Sequence, residues 1–381
     1  MASIGRKWEP EWRDYLDPYS NVPIRQLTDY RAHSMHLYFT ENGWYDNNQR
    51  LLFVSDRENR TNLFSLCFSD GEITQLTDFG PEVTHLSPCL NPAGDCAYFS
   101  TRNHVYELNL DTLKLNLLYE REPDFNVGQV SCTADGKYVI TALSEDMSRR
   151  FRVDLGNGYV GHREIMEAGP HGKIIRIPVN GGQAETLFEE YNWIGHINAS
   201  PTVSELITFC HEGPWNLVDH RIWGFNLNTR ETWKIRPRHE AHEKVGHEYW
   251  LPDGIHIGYH GFHENGIAFF GFIRQDNEDL EEVDFTFRNW HSHSDGIDQV
   301  VVDGRTPSDS MVYWKRENGT FVGPKLLCEH RCSFHSQKVH AHPRFSPDGT
   351  KLLFTSDKNG YGNLYLVDLP ENAHSLPDYT P

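Results

Sequence analysis

The chain has 381 residues, and 35 Lys+Arg against 54 Asp+Glu leave a formal charge of -19, which excludes a free-standing nucleic-acid binder, since such proteins replace phosphate counterions with a basic footprint. Hydrophobic residues make up 38%, with 10 Trp, 17 Tyr and 21 Phe, a composition that excludes disorder and is ample for a large core. No window approaches the roughly 18 uninterrupted apolar residues of a membrane-spanning helix.

The N-terminal stretch to Pro18 carries Trp and charges where a secretory signal has an apolar run. Seven cysteines, at 67, 89, 96, 132, 210, 328 and 332, form an odd, scattered set without a C-x-x-C pair. A reduced, cytoplasmic protein is expected, with a zinc site on Cys328 and Cys332 as the minor alternative.

In chain order, seven short apolar runs read as strands, at 51–54, 96–99, 138–140, 206–209, 255–259, 299–302 and 351–354. Six of them follow a turn rich in Asp, Asn, Pro and Gly, at 46–48, 91–94, 133–136, 252–254, 294–296 and 346–349; the seventh has the weaker Thr202-Val203-Ser204. Pro presets φ at the second turn position and Gly accepts positive φ, so each turn predicts a hairpin by mechanism. Second strands follow at 62–66, 105–108, 173–177, 221–225 and 364–367. A third strand often closes on words such as Ile73-Thr74-Gln75-Leu76-Thr77-Asp78.

That word recurs as Ile24-Arg25-Gln26-Leu27-Thr28-Asp29, ahead of the first full unit, whereas the last unit, 342–369, lacks it. The N-terminal segment is therefore expected to supply the outer strand of the final blade, removing two exposed edges. The prediction is all-β: a seven-bladed β-propeller closed by an N-terminal strand completing the last blade, one domain over 1–381 with the propeller proper at about 20–370. A series of β-sandwich units is the alternative.

Twelve of the 22 histidines fall between 239 and 342. His340 and His342 are two apart, just before the last blade's first strand, read as beginning at His342; alternation puts such a pair on one side of an extended chain, where both imidazoles reach one ion. His291-Ser292-His293 repeats the pattern one blade earlier. Two blades presenting the same element suggest a metal site, with solvated pairs as the plain alternative. His247, in Val245-Gly246-His247-Glu248-Tyr249-Trp250, is a candidate ligand or base, or a core histidine. Arg221, Arg236 and Arg238 are cations able to hold a carboxylate, or solvated partners of the acidic surface.

Several words together resemble one family: Tyr38-Phe39-Thr40, Gly43-Trp44-Tyr45, Ser55-Asp56-Arg57-Glu58-Asn59, Ile222-Trp223-Gly224, Lys234-Ile235-Arg236-Pro237, Val245-Gly246-His247-Glu248-Tyr249-Trp250, Ile257-Gly258-Tyr259-His260-Gly261 and Gln337-Lys338-Val339-His340-Ala341-His342-Pro343. From about residue 20 to the C-terminus the chain is similar to oligogalacturonate lyases, intracellular pectin-degrading enzymes with a seven-bladed propeller. The resemblance implies a manganese ion, or another divalent transition metal, held by Gln337, His340, His342 and a third histidine, His291 in preference to His293. It implies His247 as base and Arg221 as substrate arginine; Arg57 is a further candidate for a substrate contact. His36 and His211 are weaker candidates, and Tyr259 and His260 read equally as structural.

The implied reaction is β-elimination from a digalacturonate, saturated or unsaturated, to 5-dehydro-4-deoxy-D-glucuronate. Removing the C5 proton beside a carboxylate requires that the developing charge be neutralised, and neutral imidazole and amide ligands leave a divalent ion its charge for that purpose. A histidine with an ordinary pKa near 6.5 suits the base. The expected partner is an anionic oligosaccharide, not nucleic acid or membrane. Among rivals, a propeller-bearing serine peptidase lacks a G-x-S-x-G elbow, and the non-enzyme alternative is a TolB- or WD-like propeller scaffold binding a protein.

Overall fold

In the computed structural model, which describes residues 3–156, 158–305 and 309–381, the strands assemble into seven antiparallel sheets in a seven-bladed β-propeller arrangement. Among the described residues the one α-helix is the short His162–Ala168. Each strand expected at 51–54, 96–99 and so on is the second of its sheet, and the expected second strands are third.

The residues fall into two compact units. The first, Met1–Glu82, Ile267–Phe270 and Val283–Pro381, holds three sheets. One of them runs Arg13–Leu16, Pro23–Gln26, Asn363–Asp368, Lys351–Ser356, Arg344–Phe345. Its register pairs Ile24 with Val367 and Gln26 with Tyr365, so the N-terminal segment does complete the last blade, and Arg13–Leu16 adds a further strand outside it. Ile24, Leu352, Tyr365 and Val367 pack with Val301, Tyr313 and Phe345 in one buried cluster. A second sheet is built on Arg50–Ser55, and the third is the meander Arg288–Asp295, Gln299–Arg305, Ser310–Glu317, Thr320–Glu329.

The second unit, Val83–Gly266 and Gly271–Glu282, contains the meanders beginning at Ser87–Leu90, Phe125–Cys132 and Ile194–Ala199. Ile140, Ile174, Phe209 and Phe225 lie in one of its buried clusters. The remaining sheet runs Lys244–Trp250, His256–Phe262, Ala268–Arg274, Glu281–Phe285.

The hairpin turns form for the reason the residues suggest. Gly94, Gly136, Gly254, Gly296 and Gly349 have φ between +59° and +72°, the left-handed region open to glycine at little cost. In the first turn Asp46, Asn47 and Asn48 adopt it instead, at +52°, +52° and +63°, as short polar side chains can. Asp253 Oδ1 accepts from the amides of Ile255 and His256 at 3.0 Å each, locking the start of the next strand.

Innermost strands carry a repeated irregularity. Between Val127 and Val130, Gly195 and Asn198, Gly246 and Tyr249, and Asn289 and Ser292, two residues oppose a single residue of the neighbouring strand. Such β-bulges re-aim a side chain and are frequent beside functional sites.

Candidate functional site

In the first unit, three histidines converge. His291 lies in the bulge of Arg288–Asp295, while His340 and His342 follow a 3-10 turn, Gln337–Val339. They are 2%, 3% and 7% exposed, and one ring nitrogen from each lies within 4.8 Å of the others. Ring centroids are 3.9 Å apart for His291 and His342, 5.4 Å for His291 and His340, and 5.6 Å for His340 and His342. His293, two residues along, is outside this group: its Nδ1 accepts from the Phe345 amide at 3.4 Å. Gln337 is exposed, at the start of the turn.

The pair His340 and His342 is not positioned by strand alternation, since the strand begins only at Arg344. His342 has φ +42°, a strained value for a side-chain-bearing residue and more so before a proline. His36 holds it there: its Nε2 donates to the His342 carbonyl at 2.7 Å while Nδ1 takes a hydrogen bond from Thr355 Oγ1 at 2.8 Å. Burial pushes His36 down to about 4, so it is a neutral strut with both ring nitrogens committed.

Asp303 stands opposite the bulge. Its Oδ2 accepts from His291 Nδ1, and its Oδ1 accepts from the amides of His291 and Trp290 at 2.6 and 2.9 Å. A proton fixed on Nδ1 leaves the lone pair at Nε2, the arrangement metal-ligating histidines use. Asp303 is wholly buried, and burial pushes its carboxyl up to about 7 against the lowering effect of His330 and the two amides. Trp290 and Phe334 pack edge-on or tilted against His340 at 5.3 Å, and Tyr38 against His342 at 5.1 Å, so the imidazoles sit in aromatic walls. Three buried imidazoles with converging nitrogens and a carboxylate behind one of them fit a divalent transition metal.

In the second unit, His247 is half-buried, with φ +53°. Its Nδ1 shares a hydrogen bond of 2.9 Å with Nε2 of the fully buried His260, and the Trp215 ring stands edge-on to both, at 4.8 and 5.4 Å. Arg221, 2% exposed, is already paired: Nη1 and Nη2 donate to Glu212 Oε1 and Oε2 at 2.9 and 3.1 Å. Burial opposes that charge, but Cys210 and Glu212 raise the guanidinium pKa overall, and Arg221 in turn holds Glu212 well below the usual carboxylate range. Arg221 Nε is buried with no hydrogen-bond partner among the described residues. A Cβ on Gly246 would come within 3.1 Å of the Trp215 ring and 3.3 Å of that Nε, so glycine there permits the close packing beside His247.

Arg57, 2% exposed, donates to both oxygens of Glu11 at 2.6 and 2.9 Å and lies against Trp8, Tyr30 and Phe64. It anchors the N-terminal segment. His211 is clamped between Asp219 and Glu190 at 2.6 and 2.7 Å. Arg236 binds Glu243 and Glu282, and Arg238 caps the carbonyls of Val218 and Trp215. Cys328 and Cys332 are buried free thiols, and they are in none of the cation-binding groups found among the described residues.

Sequence reasoning passed over Asp303 and His196. The signal for the latter was visible, because Trp193-Ile194-Gly195-His196 and Lys244-Val245-Gly246-His247 share an apolar-Gly-His word.

A family model described as oligogalacturonate lyase matches residues 1–319. An oligogalacturonide lyase of Pectobacterium atrosepticum is 28% identical over 402 residues, with 97% of this chain and 99% of the relative covered. An oligogalacturonate lyase of Dickeya dadantii is 26% identical over 397 residues, with the same coverage of 97% and 99%. Among solved structures, an oligogalacturonate lyase in complex with manganese superposes with a TM-score of 0.88 at 24% identity, covering 97% of this chain and 99% of that one. The oligogalacturonate lyase of Vibrio parahaemolyticus gives 0.85 at 22% identity, covering 97% and 100%. At these identities the structural matches establish the propeller fold.

Proposed function

The chain belongs to the oligogalacturonate lyase family, lyases acting on oligosaccharides, and we propose that it cleaves digalacturonate and its unsaturated form by metal-assisted β-elimination, giving 5-dehydro-4-deoxy-D-glucuronate. The observation that carries the reading is the buried trio His291, His340 and His342 with Asp303 behind His291.

These three histidines would hold the metal, with Gln337 as the oxygen ligand that the resemblance implies. When bound, a divalent ion such as Mn²⁺ supplies Lewis acidity at the uronate carboxylate. Asp303 keeps the His291 proton on Nδ1, and His36 keeps the His342 backbone in place, so the imidazoles are held together before substrate arrives.

His247 takes the C5 proton. In the tautomer whose Nδ1–H donates to His260 Nε2, the His247 lone pair is at Nε2, and Trp215 limits the ring's rotation. As the C5–H bond breaks, the C4–C5 double bond forms, the C4–O bond breaks, and the glycosidic oxygen leaves with the neighbouring sugar and acquires a proton. Arg221 contributes the second positive charge; the buried Nε–H is a donor that a substrate oxygen could satisfy while both Nη atoms stay on Glu212. Arg57 would touch substrate only by exchanging Glu11 for a uronate.

A single propeller domain and a cytoplasmic location belong to the same proposal; all seven cysteines being free thiols supports the latter, and no helix among the described residues is long and apolar enough to cross a membrane. The test is metal-dependent turnover: chelation should abolish release of the unsaturated product and Mn²⁺ should restore it, while activity indifferent to chelator would overturn the reading.

A further inference from the structure

We propose that His196 is a positioning residue of the catalytic centre, the counterpart of His247 in the neighbouring blade, and that it couples His247 to the Arg221–Glu212 pair. The inference rests on the reading of His247 as base.

The repeat itself supplies the first observation. Gly195 pairs with Cys210 and Asn198 with Thr208, leaving His196 and Ile197 opposite Phe209 alone. Gly246 pairs with His260 and Tyr249 with Gly258, leaving His247 and Glu248 opposite Tyr259 alone. Each histidine is thus the first residue of its bulge, each follows a glycine, and each has a left-handed backbone, φ +49° for His196 and +53° for His247. A β-carbon in that region is costly, and a strained residue persists only where its surroundings enforce it. The bulge itself does not call for histidine, since the corresponding first bulge positions in two other inner strands are Gly128 and Trp290.

The contacts supply the second. The two imidazoles stack with centroids 6.0 Å apart and an angle of 26°. His196, 7% exposed, points Nδ1 at Glu248 Oε1 at 3.3 Å, and Glu248 is the residue that shares the bulge with His247. Its Nε2 is 3.5 Å from Glu212 Oε2, the carboxylate that holds Arg221. His162 reaches the other oxygen, Glu212 Oε1, at 3.2 Å. His196 thereby has polar contacts to both the His247 bulge and the Arg221 pair, while Trp215 touches His247 and Arg221 only through its ring.

A rival reading is a second metal site, since His196, Cys210 and Glu212 bring ligand-type atoms within 4.8 Å of one another. Against it, the Arg221 guanidinium covers both oxygens of Glu212, and burial holds the Cys210 thiol protonated. A cation there would be set against a fixed positive charge.

The test uses His196→Asn, because Asn tolerates the left-handed region and keeps an amide donor, with His196→Gly as a second variant that relieves the backbone strain. Mn²⁺ stoichiometry and affinity, thermal midpoint, kcat and KM on digalacturonate would be measured for both, with His247→Asn alongside. The expected result is unchanged metal binding, KM within about threefold, and kcat lower by on the order of 100-fold, as for misplacement of a reacting group by an ångström. Added imidazole should restore part of the activity of His196→Gly. A kcat within twofold of wild type for His196→Asn, with His247→Asn inactive, overturns this inference alone. An active His247→Asn overturns the base reading and this inference with it. Loss of a second metal equivalent, or failure of both His196 variants to fold, makes the residue a ligand or a fold determinant and also overturns it.

Discussion

Replacing Asp303 by Asn isolates what the buried carboxylate does for the metal centre. Asn is nearly isosteric and its carbonyl can still accept from the amides of His291 and Trp290, now at 2.6 and 2.9 Å. What changes is the other arm: where Asp303 Oδ2 accepts from His291 Nδ1, an amide NH₂ donates. His291 must then accept at Nδ1, which moves its proton to Nε2, the nitrogen needed for a ligand bond. Outer partners of this kind are worth roughly 10- to 100-fold in metal affinity, or about 1.4–2.7 kcal/mol. Titration of metal-free protein with Mn²⁺ by calorimetry, read against His291→Ala, should therefore show a dissociation constant raised by that factor in Asp303→Asn, with the metal-free thermal midpoint little changed. An affinity within twofold of wild type would refute the reasoning that Asp303 sets the His291 tautomer.

His340→Ala should lose both metal binding and turnover, whereas His247→Ala should keep the metal and lose turnover; the opposite pattern, seen by elemental analysis and rate assays, would exchange ligand and base. Glu11→Gln strips the counter-charge from the buried Arg57 and should destabilise the fold by about 1–3 kcal/mol in denaturant unfolding, with KM unchanged; a raised KM at constant stability would instead make Arg57 a substrate contact. His211 is pushed up from 6.5 to about 9: burial works against its charge, but Asp219 and Glu190 outweigh it. A raised folded-state value stabilises fully below pH 6.5 and fades as pH rises through about 9. The thermal midpoint of the metal-free wild type should thus fall more steeply between those pH values than that of His211→Gln, and parallel curves would contradict the clamp.

The fold was legible where local chemistry acts locally. Gly254 and Gly349 sit at positive φ because their turns require it, and the repeated Gln-Leu-Thr-Asp word marked the N-terminal strand that pairs with Asn363–Asp368. The innermost strands were the part that escaped. A bulge inserts one residue and breaks the two-residue alternation from which strands are read, so Phe125–Cys132 and Ile194–Ala199 carried no clean pattern. The same device separates His291 from His293 despite their spacing, and a left-handed His342 held by His36, rather than alternation, brings His340 and His342 to His291. Arg221 and Arg57 were visible as cations, but their partners Glu212 and Glu11 lie 9 and 46 residues away in sequence, and only tertiary structure reveals that pairing.

The most direct test of the account is the product of digalacturonate cleavage by Mn²⁺-loaded protein, resolved by mass spectrometry in ¹⁸O-water during the first turnovers. β-Elimination predicts galacturonate and 5-dehydro-4-deoxy-D-glucuronate in equal amounts, with no water added across the scissile bond. Two molecules of galacturonate with ¹⁸O incorporated at cleavage, or an untouched substrate, would contradict it.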